Sequence, residues 1–526
     1  MNNITTYNGN PFLKRKNVQI SFTDEQIKEI IKCANDPIYF IETYVKIVNL
    51  DRGLITLILY EYQKKIINAI EDNRNVICKI PRQAGKTTAL SAWALHQALF
   101  KNEYNILIAA NKAKTAIEIM GKIQKAFENL PHWLQQGVIE WNKSTAVFEN
   151  GSRIMAVATS SDAARGFAYN VVLLDEFAFL SKNIADEFFT SIYPTITSGK
   201  TTKLIIISTP KGLNHFYKMW VEAIEKRSNF LPVSIEWDEV PGRDQKFKEE
   251  TIKNFGQERW DQEYECDFIG SSDTLIKSST LKAMTFVEPM QNIETVKMYK
   301  PPRENRIYFI PVDASEGKGQ DYQAFVVIDI TQRPFEVVAS YRDANVDTLF
   351  FPEIIARVGT KYNDAFILVE TKSTGGQVAD NLFNELEYPN LLGAETKGRI
   401  GQVLGPYKKK AKGLSTSKAT KSIGCKNLKA LIENEQLIVN DYDIVDELSH
   451  FIFQGSTYKA EAGHTDDLAM SLVSFSWATA QAYFKQLTDA NVRHMYEEQI
   501  RNLEENLTPF GFVLDSYEDI EDLSGF

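Results

Sequence analysis

The segment Val76 to Thr88, VICKIPRQAGKTT, joins an apolar strand-like run to a loop and then to an Ala-rich helix. A strand that turns into a helix in this way directs backbone N–H groups and the positive end of the helix dipole at one point, where a phosphate can bind. Lys86 would contact the β- and γ-phosphates of ATP, and Thr87 would hold a magnesium ion. The consensus GxxxxGK[ST] has glycine where this chain has Ile80, so the loop alone could also be an ordinary strand-to-helix turn.

Two acidic residues at the end of another apolar run complement this loop. The run Val171–Leu174 leads directly into Asp175 and Glu176. An aliphatic strand of a parallel sheet is buried on both faces, and its polar residues emerge at the C-terminal edge, where ligands bind. We expect Asp175 to hold the magnesium ion, directly or through water, and Glu176 to orient and deprotonate the attacking water. The two motifs together favour an ATPase.

Three further features fit nucleotide binding and its coupling to movement. The triplet Ser208 to Pro210 follows an apolar strand, and in P-loop motors such a triplet lies beside the γ-phosphate. Gln63 lies upstream of the loop, where a glutamine reads the adenine edge in many P-loop motors. Arg82 inside the loop and Arg165 are candidate arginine fingers that would stabilise the transferring phosphoryl group. Either arginine could instead form a structural ion pair.

A second set of acids lies in the C-terminal half of the chain. Asp313 ends an apolar strand, Glu370 ends a later one, and Asp466 and Asp467 precede an apolar helix. This order is that of the ribonuclease-H-type arrangement, in which three carboxylates converge on two metal ions about 4 Å apart. Because clustered carboxylates repel one another they need the metals, and oxygen ligands favour Mg²⁺ or Mn²⁺. Each acid taken singly would more simply be an edge carboxylate, so the prediction depends on the ordered set.

The elements that must position these residues alternate between helix and strand patterns. Thr23 and Gln26 form a capping box ahead of the first helical pattern, whereas residues 1–20 are expected to be loosely ordered. Asn150 and Gly151 predict a hairpin. Hydrophobic periodicity predicts further helices at 90–100, 113–127, 255–270, 347–358 and 468–477, and strands at 106–110, 171–174, 204–207, 307–313, 325–330, 335–341 and 366–370.

These patterns predict an α/β protein in which a P-loop ATPase with a mostly parallel sheet is followed by a ribonuclease-H-like α/β nuclease domain. At 526 residues the chain is too long for one hydrophobic core. The expected parts are an ATPase domain with an N-terminal helical lid subdomain (1–270), a linker (271–303), the nuclease domain (304–482) and an acidic C-terminal tail (483–526). The tail is either a docking peptide or a frayed terminus.

Charge and cysteine content limit the partners and the compartment. A formal net charge of −10 gives no general attraction to nucleic acid, so DNA contact requires a local basic patch. The stretch Tyr407 to Gly413, YKKKAKG, is the candidate for contact with the phosphate backbone, and a solvated loop is the alternative. Four scattered cysteines without CxxC spacing point to a reducing compartment without a zinc site. With no apolar run of membrane-spanning length and no signal-peptide pattern, we expect a cytosolic protein.

The motifs PRQAGKTT, VVLLDEFAF, STPKG, VDASEGKGQDY, LVETKSTGG and GHTDDLAMSL together resemble those of the large terminase subunit of tailed bacteriophages, the DNA-packaging motor. The resemblance covers roughly residues 37 to 480. A loop without the first glycine is usual in that family, so Ile80 is no obstacle. The site residues that the resemblance implies are Gln63, Arg82, Gln83, Gly85, Lys86, Thr87, Thr88 and Asp175 for ATP and its magnesium ion, Glu176 for catalysis, Ser208, Thr209 and Pro210 for coupling, and Asp313, Glu370 and Asp466 for the nuclease metals, with Asp467 as the alternative ligand and Asp321 in an assisting role.

The resemblance also implies the partners and the activity. The protein would use ATP and Mg²⁺ to move double-stranded DNA into a procapsid, and it would cut the concatemer with two Mg²⁺ or Mn²⁺ ions. It would act in the host cytoplasm as a ring, pentameric by family analogy, docked on the portal protein, with a small terminase subunit selecting the DNA and no contact with a membrane.

Two other functions compete with this interpretation. A helicase-nuclease of DNA repair or mobile-element processing would share both enzymatic motifs, but no further helicase-like motif series follows Pro210. A DNA-binding structural component would have degenerate sites, whereas Lys86, Glu176, Asp313 and Glu370 are all present.

Overall fold

The structure of the chain is a computed structural model that describes residues 5–489, apart from 50, 160–167, 269–272, 316–321, 372–373, 399–400 and 409–411. The chain divides into two compact units. Unit 1 comprises Met1–Met284, Val445–Ile452 and Ala460–His464, and unit 2 comprises Thr285–Ile444, Phe453–Lys459 and Thr465–Phe526. Arg165, Asp321, Lys409, Lys410 and most of the predicted acidic tail lie outside the described residues.

The elements of the N-terminal part alternate between strands and helices, as the sequence patterns predict. In chain order they are β1 (Thr6–Tyr7), β2 (Asn10–Lys14), α1 (Asp24–Asn35), α2 (Pro37–Tyr44), β3 (Lys46–Asn49), β4 (Gly53–Thr56), α3 (Glu61–Asp72), β5 (Asn75–Lys79), α4 (Lys86–Phe100), β6 (Asn105–Ala110), α5 (Ala113–Glu128), β7 (Val138–Trp141), β8 (Thr145–Phe148), β9 (Arg153–Ala158), β10 (Val171–Asp175), α6 (Lys182–Ser198), β11 (Lys203–Ser208), α7 (His215–Ile224), β12 (Leu231–Ser234), α8 (Gln245–Phe255), α9 (Gln257–Glu263) and α10 (Ser278–Ala283).

The sheet of unit 1 is mostly parallel. Its eight strands lie in the order β12-β5-β11-β10-β6-β9-β8-β7, and only β7 and β8 run antiparallel to their neighbours. The central strands are aliphatic and buried along their length, as expected for a sheet covered on both faces. The carboxyl ends of β5, β10 and β11 therefore meet at one edge, where the predicted ATPase residues lie.

The elements from residue 285 onward begin with short strands and end with a buried helix. They are β13 (Gln291–Ile293), β14 (Val296–Met298), β15 (Tyr308–Asp313), β16 (Gln323–Asp329), β17 (Phe335–Asp343), α11 (Phe351–Lys361), β18 (Phe366–Val369), α12 (Gly375–Asn384), β19 (Leu391–Thr396), β20 (Gln402–Pro406), α13 (Lys418–Glu433), β21 (Leu437–Ile438), α14 (Tyr442–Ser449), β22 (Phe451–Gln454), β23 (Thr457–Ala460), α15 (Asp467–Thr479) and α16 (Ala482–Thr488).

The sheet of unit 2 is mixed. Its strand order is β13-β14-β17-β16-β15-β18-β19-β20, with β21 paired to β17. An antiparallel meander of β15, β16 and β17 adjoins the parallel pairs β15–β18 and β18–β19, and helix α15 packs on β15 and β16. This is the ribonuclease-H-like arrangement, so both parts of the predicted fold class are confirmed.

The structure confirms several local predictions. Thr23 caps α1 and forms the predicted capping box with Gln26. Strands β8 and β9 form the predicted hairpin, with Gly151 in the left-handed region at φ +81°. Hydrophobic patterns predict such helices and strands because each element buries at least one face in the core.

Other local predictions were wrong. In place of the expected helix at 255–270, Phe255 ends α8, and Gly256, at φ +89°, separates it from α9, which ends at Glu263. The helix expected from residue 347 begins at Phe351, because Pro352 is tolerated only in a first turn. Residues 1–20 are not uniformly loose, since β1 pairs with β2 and Phe12 O accepts from Gln135 Nε2 at 3.0 Å.

The predicted linker 271–303 contains α10 and the strands β13 and β14. Because Val296–Met298 pairs antiparallel with β17, the second sheet begins before residue 304.

Among the described residues no helix is both long and apolar enough to cross a bilayer. All four cysteines are buried free thiols, and burial raises the pKa of each, to about 12 for Cys33, Cys78 and Cys266 and to about 11 for Cys425.

Candidate active sites

The loop between β5 and α4 has the shape of a phosphate-binding loop. Gly85 caps α4 in the left-handed conformation at φ +68°, which a residue with a Cβ adopts only with strain. A Cβ on Gly85 would also approach Gln63 Nε2 to 2.8 Å. The glycine thus lets Lys86 begin α4 immediately after the turn, so that the first N–H groups of the helix face the loop.

Lys86, Thr87 and Asp175 meet at the edge of the sheet. Thr87 Oγ1 donates a hydrogen bond of 3.0 Å to Asp175 Oδ2, and Lys86 Nζ lies 3.8 Å from Asp175 Oδ1. Asp175 is only 3% exposed, and its Oδ1 has no hydrogen-bond partner among the residues that the structure describes. A hydroxyl beside a buried carboxylate oxygen is the kind of oxygen donor set that suits Mg²⁺. These residues fit a nucleotide-bound magnesium ion.

Glu176 follows Asp175 in a strained backbone conformation. Its φ of 56° and ψ of 40° lie in the left-handed region, which a non-glycine residue rarely occupies. A short 3₁₀ helix, Phe177–Phe179, begins directly after it. Strain of this kind costs on the order of 1–3 kcal/mol and is concentrated at functional sites.

The triplet that ends β11 connects the loop to the segment after Glu176. Ser208 Oγ accepts from the backbone N–H of Ala178 at 3.0 Å, and Ser208 O accepts from Ile80 N at 3.1 Å. Thr209 Oγ1 donates to Ile80 O at 3.1 Å, and Pro210 follows. Ser208 and Thr209 thus contact both the phosphate-binding loop and the segment that follows Glu176.

Gln63 is buried against the loop. Its Nε2 donates to Ala84 O at 3.3 Å and to Gly85 O at 3.5 Å, and its Oε1 accepts from Tyr60 N. Tyr62 also donates to Ala84 O, at 2.6 Å, a contact that sequence reasoning did not identify. Helix α3 thus contacts the loop carbonyls, and Gln63 lies beside the phosphate-binding loop.

Arg82 is exposed and held by a partner that the sequence did not reveal. Its side chain is 64% exposed and lies 3.3 Å from Glu263 Oε1, and its backbone N–H donates to Glu263 O at 2.9 Å. Arg243 Nη2 donates to Arg82 O at 2.7 Å. Arg82 and Gln83 line a cavity of about 620 Å³ together with residues of α8 and α9. Thr88, in the first turn of α4, accepts from Lys122 Nζ at 3.4 Å.

The predicted nuclease acids Asp313 and Glu370 lie side by side. Strands β15 and β18 are parallel neighbours in which Val312 pairs with Val369, and Glu370 N donates to Val312 O at 2.9 Å. Asp313 directly follows Val312, and Glu370 directly follows Val369. Both acids therefore lie at the same height along the two strands, at the carboxyl ends. Matched register on adjacent strands therefore places the two acids next to each other at the same edge of the sheet.

On the side away from β15, backbone hydrogen bonds with Leu414 hold the residues on either side of Glu370. Leu414 N donates to Val369 O at 2.7 Å, and Thr371 N donates to Leu414 O at 2.8 Å. Gly375, the first residue of α12, lies so close that a Cβ there would come within 1.7 Å of Glu370 O. The sequence offered a signal for this glycine in the Gly-Gly pair after Glu370, but nothing local predicts Leu414.

Asp466 and Asp467 both lie at the start of α15. Asp467 Oδ1 accepts from Tyr322 N at 3.3 Å, and Tyr322 lies just ahead of β16, whose Ala324 pairs with Asp313. Asp466 occupies the N-cap position of α15. Burial is the main cause of the raised pKa of Cys425 on α13, and the charge of Asp466 adds to it. Asp467 is 9% exposed, and its bond to Tyr322 places it beside the β15–β16 end of the sheet. Oxygen ligands of this type fit Mg²⁺ or Mn²⁺.

Two family models match the chain in succession. Residues 77–283 match the N-terminal domain of the terminase large subunit, T4likevirus-type, and residues 310–482 match the terminase RNaseH-like domain. The first match contains the phosphate-binding loop and Glu176, and the second contains Asp313, Glu370 and Asp466.

Similar proteins include the terminase large subunits of Thermus phage G20c and Thermus virus P23-45. Each is 25% identical over 495 residues, which cover 85% of this chain and 92% of the relative. The large terminase of bacteriophage HK97 is a solved structure with 13% identity and a TM-score of 0.48, covering 85% of this chain and 98% of that chain. Since both domain matches come from one kind of protein and follow each other in its order, the chain belongs to the family of bacteriophage large terminase subunits, enzymes that join an ATPase domain to a ribonuclease-H-like nuclease domain.

Proposed function

We propose that this chain is an ATP-driven motor that moves double-stranded viral DNA into a procapsid and cuts the DNA concatemer by two-metal catalysis. The observation that carries the proposal is the pairing of two strand-edge sites in one chain. One is the contact of Lys86 and Thr87 with Asp175, and the other is the side-by-side placement of Asp313 and Glu370.

In the ATPase site, Lys86 and the first N–H groups of α4 would bind the β- and γ-phosphates. Thr87 and Asp175 would hold a magnesium ion, which neutralises charge on the phosphates when ATP is bound. Glu176 would accept a proton from the attacking water. Gln63 would read the adenine, and Arg82 or Arg165 would stabilise the transferring phosphoryl group.

Coupling to DNA movement would pass through Ser208, Thr209 and Pro210. The hydrogen bonds of Ser208 to both Ile80 and Ala178 support this role, because they connect the nucleotide loop to the segment after Glu176. The burial of Ser208 and Thr209 keeps water from replacing these bonds.

In the nuclease site, Asp313, Glu370 and Asp466 would hold two Mg²⁺ or Mn²⁺ ions, with Asp467 as the alternative ligand. Such ions activate water and stabilise the leaving oxygen of a cut phosphodiester. Asp467 is the more buried of the two neighbours and Asp466 the more exposed, so Asp466 is the better placed to reach a substrate-bound ion.

The partners would be the portal protein, a small terminase subunit and further copies of this chain in a pentamer. The protein would act in the host cytoplasm while transiently docked on the portal vertex. Lys408 and Lys412, which flank the undescribed residues 409–411, would contact the DNA backbone without reading sequence.

The test is packaging with purified components. Full-length protein, empty procapsids of the same phage, linear double-stranded DNA and ATP–Mg²⁺ are mixed, and DNA protected from an added nuclease is measured. We expect protection that needs hydrolysable ATP. If a forked duplex is unwound with ATP while no DNA becomes protected, the protein is a helicase-nuclease instead.

A further inference from the structure

A cluster of metal-ligating side chains lies outside both predicted active sites. His450, Glu461 and His464 each offer one ligand atom, and these atoms all lie within 4.8 Å of one another. We call these three residues the His–Glu cluster. All three belong to unit 1, and neither the ATPase nor the nuclease proposal uses them.

Among the residues that the structure describes, the hydrogen bonds of His450 are made by its Nδ1. His450 is 6% exposed, and its Nδ1 lies 2.9 Å from Asp446 O and 3.0 Å from Ser449 Oγ. Since a carbonyl oxygen only accepts hydrogen bonds, Nδ1 carries the proton and Nε2 presents its lone pair. A histidine that binds a metal usually donates its other N–H to a carbonyl or carboxylate in this way.

The other two members lie on a turn that backbone bonds hold against His450. Glu461 N donates to His450 O at 2.9 Å, and His464 N donates to Glu461 O at 3.0 Å. Gly463, at φ +87°, permits the turn. The chain thus returns to the end of α14 by way of the segment β22–β23, and this brings the two histidines together.

The two imidazole rings stack, with centroids 3.6 Å apart and planes inclined by 10°. Stacked rings do not direct their lone pairs at one point, so metal binding requires one ring to turn. His464 is the exposed ring and has room to do so, whereas His450 is fixed by its bonds. Zinc binds imidazole nitrogens at about 2.0–2.1 Å, so the proposal requires His464 to change its rotamer while His450 stays in place.

The donor set selects the ion. Two imidazole nitrogens and one carboxylate are a common zinc ligand set, while Mg²⁺ prefers oxygen ligands. The charges of Asp446 and Glu461 favour a cation here, and that of Lys211 opposes it. We propose that the His–Glu cluster binds one Zn²⁺ ion, which joins the end of α14 to the turn that precedes Asp466 in the chain.

The test is direct metal binding by the full-length protein without ATP. Protein treated with a chelator is dialysed against Zn²⁺ in the presence of millimolar Mg²⁺, which occupies carboxylate sites, and bound zinc is measured by elemental analysis. We expect one Zn²⁺ per chain, and at least tenfold weaker binding for His464→Gln. His132→Gln, at another exposed histidine, is the matched control and should bind like the unmodified protein.

Two further variants keep the outcome decisive. Asp313→Ala should still bind one Zn²⁺, and Glu461→Gln should bind more weakly, with folding of each variant checked by circular dichroism. Cobalt in place of zinc should give a visible absorption band that His464→Gln loses. Equal zinc binding by His464→Gln and the unmodified protein, or loss of zinc in Asp313→Ala, would overturn the proposal, and neither result bears on DNA packaging.

Discussion

The two predicted active sites are positioned by different kinds of contact. In unit 1, side chains hold one another, since Thr87 bonds to Asp175 and Ser208 bonds to the backbone after Glu176. In unit 2, backbone register places the acids, since Asp313 and Glu370 follow a matched pair of residues on adjacent strands. The first site should therefore respond to changes in side-chain chemistry, and the second also to changes in backbone packing.

Among the variants, Glu176→Gln is expected to give the largest difference between the ATPase and nuclease activities. The amide cannot accept a proton from water, and general base catalysis contributes about 10²–10⁴-fold to a rate. We expect ATP turnover to fall by that factor and DNA uptake to stop, while metal-dependent cutting of plasmid continues. Phosphate release and plasmid nicking measured on one preparation provide the comparison. A parallel loss of cutting would mean that the two sites are not independent.

Asp313→Ala should give the opposite result. Losing one carboxylate of a two-metal site removes a ligand that Mg²⁺ or Mn²⁺ requires, and we expect plasmid cutting to fall by about 10²-fold or more. ATP turnover should stay within about twofold of the unmodified protein, since Asp313 belongs to unit 2 and the predicted ATPase residues that the structure describes belong to unit 1. Normal cutting by Asp313→Ala, measured over a range of Mn²⁺ concentrations, would remove Asp313 from the nuclease site.

The dependence of the nuclease site on backbone packing is tested by Gly375→Ala. The added Cβ would come within 1.7 Å of Glu370 O, so Glu370 must move or α12 must shift. We expect a loss of roughly 1–3 kcal/mol in unfolding free energy and a marked loss of cutting. Gly376→Ala is the matched control, because its added Cβ would lie within 4 Å of no described residue outside its own stretch of helix. Similar cutting by the two variants would show that Gly375 does not position Glu370.

The smallest effect is expected for Glu263→Gln, which breaks the ion pair of Arg82. Because Arg82 is 64% exposed, the pair contributes about 0–1 kcal/mol at most. Stability should hardly change, whereas ATP turnover should change by about two- to fivefold if Arg82 serves as a finger. Glu250→Gln, which breaks the exposed pair with Lys246 on α8, is the control. Identical kinetics for Glu263→Gln and Glu250→Gln would assign Arg82 a structural role.

Strand ends were the part of both sites that the sequence could predict. Asp175, Asp313 and Glu370 each end an aliphatic run, and such a run has few alternatives to a buried strand. Lys86 was predictable because a helix opens directly after a glycine turn. The ribonuclease-H-like fold class was predictable from the order of the strand patterns that end in acids.

The contacts between distant segments could not be predicted. Glu263 reaches Arg82, and Leu414 reaches Thr371, only through the folded chain, and no local pattern marks either contact. The His–Glu cluster could not be predicted for the same reason, since the spacing of His450, Glu461 and His464 matches no common metal motif. Helix starts were misplaced where Gly256 and Pro352 decide the boundary.

Because the backbone of Glu176 is left-handed, the residue type that is best for thermodynamic stability at this position differs from the one that we propose for catalysis. Asparagine enters this conformation at less cost than glutamate does, so a chain with asparagine at position 176 would lose less free energy there on folding. The same exchange shortens the side chain and removes its carboxylate. A selection for heat resistance alone would therefore act against the residue that we propose for proton transfer from water, and only a requirement for ATP turnover would retain it.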